Sequence, residues 1–153
     1  MSVVYPGSQL ADRIHEIHHS THHVSNIFPE DTDETCLVTA GGGADTFGAW
    51  ALLVDNMAGH FDAVFAAADG HIAAIVIEDC NQVDERYLLE ISYGATNIII
   101  ARTRFMKSGV LVNVEHSTRI RSAHIPAGED VYYRLKCETA GKTAYIHLRY
   151  YLI

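Results

Sequence analysis

The clearest pattern in this chain is the regular alternation of apolar and polar residues near its C-terminus. Between residues 145 and 152, Ile146 and Leu148 alternate with His147 and Arg149. Residues 131–138 repeat the alternation. A period of two is typical of a β-strand that has one face in a core and the other in water. Both segments are therefore predicted to be strands.

Segments of the same kind follow one another from residue 35 onward, separated by turn signals such as Asp69-Gly70. This density of short strands predicts an all-β fold, an antiparallel β-sandwich resembling a jelly roll. The run Gly41-Gly42-Gly43 is predicted to be a flexible loop, since the Lys-Ser or Lys-Thr of a phosphate-binding loop is absent. The predicted strands are 36–39, 49–55, 61–67, 72–78, 86–93, 98–106, 110–114, 119–122, 131–138 and 145–152.

Residues 1–34 differ from the rest and are predicted to form an N-terminal arm, extended or partly helical, before a sandwich domain at 35–153. Leu10, Ile14 and Ile17 fall at helical spacing and make a narrow apolar stripe. A helix with so short a stripe is marginal alone. We therefore expect these three residues to contact the sandwich or a neighbouring molecule.

Two predicted strands, 51–54 and 72–77, are apolar on both faces. One face of each sheet in a sandwich normally meets water, so a strand without a polar side indicates that something covers its outer face. A subunit interface or the N-terminal segment could do so. Ile75 and Ile77 are therefore predicted interface residues.

The charge of the chain narrows the range of expected partners. The chain has 19 Asp and Glu residues against 11 Lys and Arg residues, a formal net charge of −8, which disfavours a nucleic-acid partner. One basic region comprises Arg102, Arg104, Lys107, Arg119 and Arg121, which lie close together in sequence. They form either a solvated strand face or a basic patch for an acidic partner or a neighbouring subunit. No apolar run approaches the roughly 20 residues of a membrane span, and no secretory signal is visible, so synthesis in a cytosol is expected.

Histidines are concentrated in the arm. His15, His19 and His22 would share one face of a helix and could hold a divalent metal, structural or adventitious. A solvated or interface cluster is the alternative, and a pH-responsive contact is a third possibility within it. Residues 15–19 match the metalloprotease pattern HExxH, but no third ligand is evident, and no other cofactor is predicted.

The cysteines, in contrast, are isolated. Cys36, Cys80 and Cys137 have no metal-ligand spacing and are odd in number. They are expected to be buried thiols, with an intersubunit disulfide as the alternative.

Four short blocks in the second half resemble small virion proteins of tailed bacteriophages. They are GHFDA at 59–63, YLLEISYG at 87–94, RSAHIPAGEDVYYR at 121–134 and HLRYY at 147–151. The resemblance implies a β-sandwich that assembles on the outside of a capsid, commonly as a trimer, or belongs to a tail or fibre. Residues 1–58 depart from it, which leaves the location in the virion open.

The expected function is therefore that of a capsid decoration, or cement, protein with no catalytic residues. Its expected partners are further copies of itself in a homotrimer and the major capsid protein, and its expected location is the outer capsid surface, after synthesis in the host cytoplasm. One alternative is a tail or fibre component that recognises host glycans through exposed tyrosines. Another is a metal-binding β-sandwich that uses the histidine cluster.

Overall fold

The computed structural model describes residues 24–109, 116–120 and 122–153, with 116–119 described by their backbone alone. These residues form strands and one short 3-10 helix, Phe61–Phe65. The predicted all-β class is thus confirmed. In chain order the strands are β1 (Asn26–Phe28), β2 (Cys36–Thr39), β3 (Ala51–Leu52), β4 (Gly70–Cys80), β5 (Arg86–Tyr93), β6 (Ile98–Met106), β7 (His116–Arg119), β8 (Val131–Cys137) and β9 (Thr143–Leu152).

The strands form two antiparallel sheets. In sheet A, β1 and β2 both pair with β9, followed by β4 and β7; sheet B has the order β3, β8, β5, β6. The chain pairs like one long hairpin, with β2 on β9, β3 on β8, β4 on β7 and β5 on β6. Further pairing of β4 with β9 and of β5 with β8 rolls this hairpin into two layers. This is a jelly-roll arrangement, and the predicted sandwich is confirmed.

The core lies between the sheets and follows the alternation read from the sequence. Ile146 and Leu148 of β9 are completely buried, and they face sheet B residues such as Leu89 and Leu135. Aromatic side chains close one end of the core. There the Phe61 ring packs 5.2 Å from Phe28, 5.2 Å from Phe65 and 5.7 Å from Tyr150, measured between centroids.

The predicted strand at 61–67 is wrong, because this segment forms the 3-10 helix. Phe61, Val64 and Phe65 contact the core, a spacing of three and four residues that a helical turn satisfies. Ala63, which a strand would place on the same face as both phenylalanines, is exposed. Apolar content was read as strand content, although the residues that reach the core have helical spacing.

The doubly apolar segment 72–77 lies in β4, and its side chains are covered within one chain. Ile75 and Ile77 lie in the core with relative exposures of 0% and 5%, so neither offers surface to a second molecule in this fold. Ala74 and Val76 are also buried, although neither belongs to the core cluster. Register shifts after Ile72 and Ile77 interrupt the alternation along this strand.

The boundary between arm and sandwich lies earlier than the predicted residue 35. Strand β1 pairs with β9 at Tyr150, Arg149 and Leu148, and Phe28 belongs to the core. Residues 26–28 are therefore part of sheet A. A strand of three residues is too short to show an alternation, which is why the sequence pattern did not reveal it.

Several predictions fall outside the described residues. These are the apolar stripe of the arm, the histidine cluster, the strand at 110–114 and Arg121. In the described part of the chain, no helix has the length and apolar character that crossing a bilayer requires.

Candidate functional site

The outer face of sheet B carries rows of charged side chains. Strand register sets residues of β8, β5 and β6 side by side in three rows, and the residues of each row point away from the core. The rows are Arg134, Glu90 and Arg102; then Lys136, Leu88 and Arg104; then Glu138, Arg86 and Met106. The basic members are called here the cationic face: Arg86, Arg102, Arg104, Arg134 and Lys136.

Glu90 partly neutralises the first row from its centre. Its side chain is only 5% exposed and accepts hydrogen bonds from both neighbouring arginines. Arg134 donates through Nε and Nη2 to Oε2 at 2.8 and 2.7 Å, and Arg102 donates through Nε to Oε1 at 3.1 Å. Such charge-assisted bonds to a buried carboxylate hold both guanidinium groups in fixed positions. Arg134, which is 29% exposed and makes two of these bonds, is held more firmly than Arg102, which is 63% exposed and makes one.

Two aromatic rings contact the guanidinium group of Arg134. Its guanidinium carbon lies 4.2 Å from the ring centroid of Phe47 and 4.5 Å from that of Trp50. Cation–π contacts of this kind contribute roughly 0.5–2 kcal/mol each, depending on how far the cation is desolvated. Arg134 is thus held by hydrogen bonds to Glu90 and by contacts with the two rings.

The segment that carries these rings is a loop, as predicted around Gly41-Gly42-Gly43, and its backbone is hydrogen-bonded to β8. Gly41 N and Gly48 N each donate to the Leu135 carbonyl at 3.2 Å, and Asp45 N donates to the Cys137 carbonyl at 2.8 Å. Gly41 is packed so closely that a Cβ there would lie 2.2 Å from the Thr46 carbonyl oxygen. The glycines therefore permit close backbone packing.

The second row lacks a central acid and lines a cleft. Lys136 Nζ lies 3.2 Å from Asp45 Oδ1, a carboxylate whose side chain is 72% exposed. Arg104 is exposed, and within the described residues it has no acidic partner. The cleft has a volume of about 400 Å³. It is lined by Asp45, Arg86, Tyr87, Leu88, Arg104, Lys136 and Glu138.

The structure divides the basic patch predicted from sequence proximity. Arg102 and Arg104 lie on the cationic face, whereas the backbone of Arg119 lies in β7 of sheet A. The side chain of Arg119 and the whole of Arg121 are outside the described residues. Residues that are close in sequence do not form one patch here, because β6 and β7 belong to different sheets.

Sequence reasoning missed the partners that complete the face. Arg134 and Lys136 were recognisable as outward residues of one alternating strand, and Glu90 lies on an outward position of another. What the sequence could not supply is the register that places these strands side by side. The contribution of Phe47 and Trp50 was also missed, because it depends on how residues 40–50 fold back over β8.

The other candidate chemistry is sparse. Within residues 24–109, 116–120 and 122–153, no three His, Cys, Asp or Glu side chains converge to hold a metal ion. His15, His19 and His22 are not among these residues. Cys36, Cys80 and Cys137 are free and buried, which confirms the expected thiols.

One carboxyl pair lies near the start of β8. The pKa of Asp62 is raised above its usual value, mainly by burial. His60 opposes this rise, and Asp130, which is hydrogen-bonded to Asp62, adds to it. Tyr132 Oη donates to Asp130 Oδ2 at 3.2 Å. This group combines an aromatic ring with acceptors for hydroxyl groups, which is a combination that sugar-binding sites use.

Comparison with protein-family models, with curated proteins and with solved structures found no match to this chain.

Proposed function

We propose that this protein is a structural component of a virion, a capsid decoration protein that assembles as a homotrimer and stabilises the shell from its outer surface without catalysing a reaction. The observation that carries the proposal is the preformed cationic face on a chain with a net charge of −8. A fixed basic surface on an acidic protein favours docking onto acidic protein surfaces, since complementary charge steers and orients association.

The fold and the packing support the same conclusion. Jelly rolls recur among capsid proteins, where they present sheet faces and loops to neighbouring subunits. Arg134 is held by one carboxylate and two aromatic rings, so little side-chain entropy is lost when a partner binds there. A protein that binds only the assembled shell would stabilise it by mass action.

Particle composition and binding test this function directly. Mass spectrometry of purified virions should detect the chain in many copies per particle, and the purified protein should co-sediment with empty expanded shells until a fixed ratio is reached. Removal of residues 1–23, which leaves β1 intact, should weaken co-sedimentation if the arm reaches adjoining subunits. Absence from the particle together with failure to co-sediment would overturn the proposal.

The Tyr132, Asp130 and Asp62 group favours one second candidate, a tail or fibre component that binds host glycans. In that case a glycan array should give a defined set of binders, and Tyr132→Ala should abolish the signal. Tyr151→Ala on the outer face of sheet A tests whether that surface contributes. An array without binders removes this candidate.

A further inference from the structure

Two adjacent rows of sheet B differ in one respect that indicates a binding site. In the first row the central Glu90 lies between Arg134 and Arg102 and bonds to both. In the second row Lys136 and Arg104 occupy the same flanking strands, but Leu88 stands in the centre. The second row therefore has the two cations of the first row and lacks the carboxylate between them.

The acids that border the second row do not compensate for this. Glu138 pairs with Arg86 at 3.2 Å, and Asp45 pairs with Lys136 from the side. Arg104 is left facing the cleft above Leu88, and no acidic side chain of the described residues pairs with it. A carboxylate supplied from outside would lie over an apolar floor, where charge-assisted hydrogen bonds are stronger than in open water.

The chain itself offers a matching acidic segment. Residues 30–34 read Glu-Asp-Thr-Asp-Glu, and residues 30–33 are exposed in a turn between β1 and β2 that is closed by Glu34 N donating to the Asp31 carbonyl at 3.1 Å. Four carboxylates crowd together here, and such a cluster is stabilised when cations approach it. The turn therefore has the charge that the cleft lacks.

The acidic turn and the cleft lie at opposite ends of β8. Thr35 follows the turn, and its N donates to Asn56 Oδ1 at 3.1 Å. Leu53 lies three residues before Asn56, and its N donates to the carbonyl of Val131, the first residue of β8. The cleft lies beside Lys136 at the other end of that strand. A contact between turn and cleft is therefore made between two molecules. Because it joins different surfaces, it repeats head to tail and closes into a ring when the rotation allows.

We propose that the cleft above Leu88 is a carboxylate-binding site for residues 30–34 of a second copy of this chain, with Arg104 and Lys136 flanking the incoming carboxylate as Arg102 and Arg134 flank Glu90. This deepens the self-association in the proposed function and does not depend on shell binding.

Two charge reversals, one at the site and one elsewhere, test the proposal when the mass of the assembly in solution is measured. Wild-type protein should sediment as an assembly larger than the 16.9 kDa chain at low salt and dissociate as salt rises. Arg104→Glu should weaken self-association by at least about tenfold, as expected for reversal of a charge at a complementary contact. Arg149→Glu makes the same change in net charge on an exposed arginine of sheet A and should leave association unchanged.

Two further variants separate the site from general charge effects. Leu88→Glu places an internal acid between Arg104 and Lys136 and should abolish self-association while the protein stays folded by circular dichroism. Asp31→Lys with Asp33→Lys should also dissociate the protein, and adding Arg104→Glu to this pair should restore assembly by exchanging the charges. Wild-type protein that stays at single-chain mass, or equal effects of Arg104→Glu and Arg149→Glu, would overturn the proposal.

Competition by a synthetic peptide identifies the ligand. A peptide of residues 28–35 should dissociate the wild-type assembly, whereas the same peptide with Gln and Asn in place of its acids should not. Inorganic phosphate that competes more strongly than the peptide would show a phosphate site and overturn the assignment. Shell co-sedimentation of the Asp31→Lys, Asp33→Lys variant reports on the proposed function separately, because this variant changes the turn and leaves the cationic face intact.

Discussion

The guanidinium group of Arg134 lies 4.2 Å from the ring centroid of Phe47, although the two residues come from different parts of the chain. This contact joins the segment of residues 40–50 to the outer face of sheet B. It also shields part of a cation that is bonded to Glu90. The position of the cationic face therefore depends on a loop ring as well as on the sheet.

Phe47→Leu should lower the free energy of unfolding by about 1 kcal/mol, since the cation–π contact is lost while an apolar side chain remains. Urea unfolding followed by the fluorescence of Trp50, the single tryptophan, measures the change. A double-mutant cycle with Arg134→Gln, which removes the cation, isolates the contact. A coupling energy of zero between the two substitutions would show that ring and guanidinium do not stabilise each other.

Gly41→Ala should destabilise the fold by about 1–3 kcal/mol, the range expected when a side chain is forced into a closely packed position. The added Cβ would lie 2.2 Å from the Thr46 carbonyl oxygen and 2.7 Å from Gly48 N. Gly42→Ala is the matched control, because nothing lies within 4 Å of a Cβ built there, and it should change the urea midpoint little. Equal shifts for the two variants would contradict close packing at Gly41.

Glu90→Gln should lower the free energy of unfolding by roughly 1–3 kcal/mol, because two fixed guanidinium groups lose their shared carboxylate. Glu138→Gln removes a carboxylate that is 44% exposed and pairs with the 58% exposed side chain of Arg86. That control should cost no more than about 1 kcal/mol. The difference between their urea midpoints checks whether burial makes Glu90 the stronger contact, and identical midpoints would refute it.

The buried thiols should resist modification and give a defined pH dependence. Burial, followed by Asp55 and Glu78, raises the pKa of Cys36 to about 12, and burial raises that of Cys80 to about 11. The folded state thus keeps these protons at a pH where the unfolded chain, with its ordinary thiol pKa of 9.0, releases them. The free energy of unfolding should keep its full value below pH 9 and should fall as the pH rises from 9 toward 11–12.

Thiol labelling and urea titrations between pH 8 and 10.5 check this expectation. Labelling at pH 8 should be slow in buffer and rapid in urea, and Cys36→Ala should flatten the decline of the unfolding free energy with pH. Rapid labelling of folded protein would show that the cysteines are reachable.

How far the sequence predicts this fold depends on the length of each alternating segment. The predicted strands 36–39, 86–93 and 98–106 coincide with β2, β5 and β6. Long amphipathic strands reveal themselves because every second residue must enter the core. Strand β1 has three residues and gives no such signal, and 61–67 misled because phenylalanines are common in strands and helical turns alike.

The cationic face was only partly within reach of the sequence. Arg102 and Arg104 were predicted to share one outward face, and they do. Their relation to Glu90 and Arg134 depends on which strands neighbour each other, and a single sequence does not encode register in a readable form. Arg119 was grouped with them only because it is close in sequence.

Strands β1 and β2 share one partner, β9, and the acidic turn at residues 30–34 separates them. The outer border of sheet A is therefore two short pieces with an interruption between them. A growing fibril needs a long, uncharged ribbon whose free amides and carbonyls can template the next molecule. The charged break denies that template along this edge of sheet A.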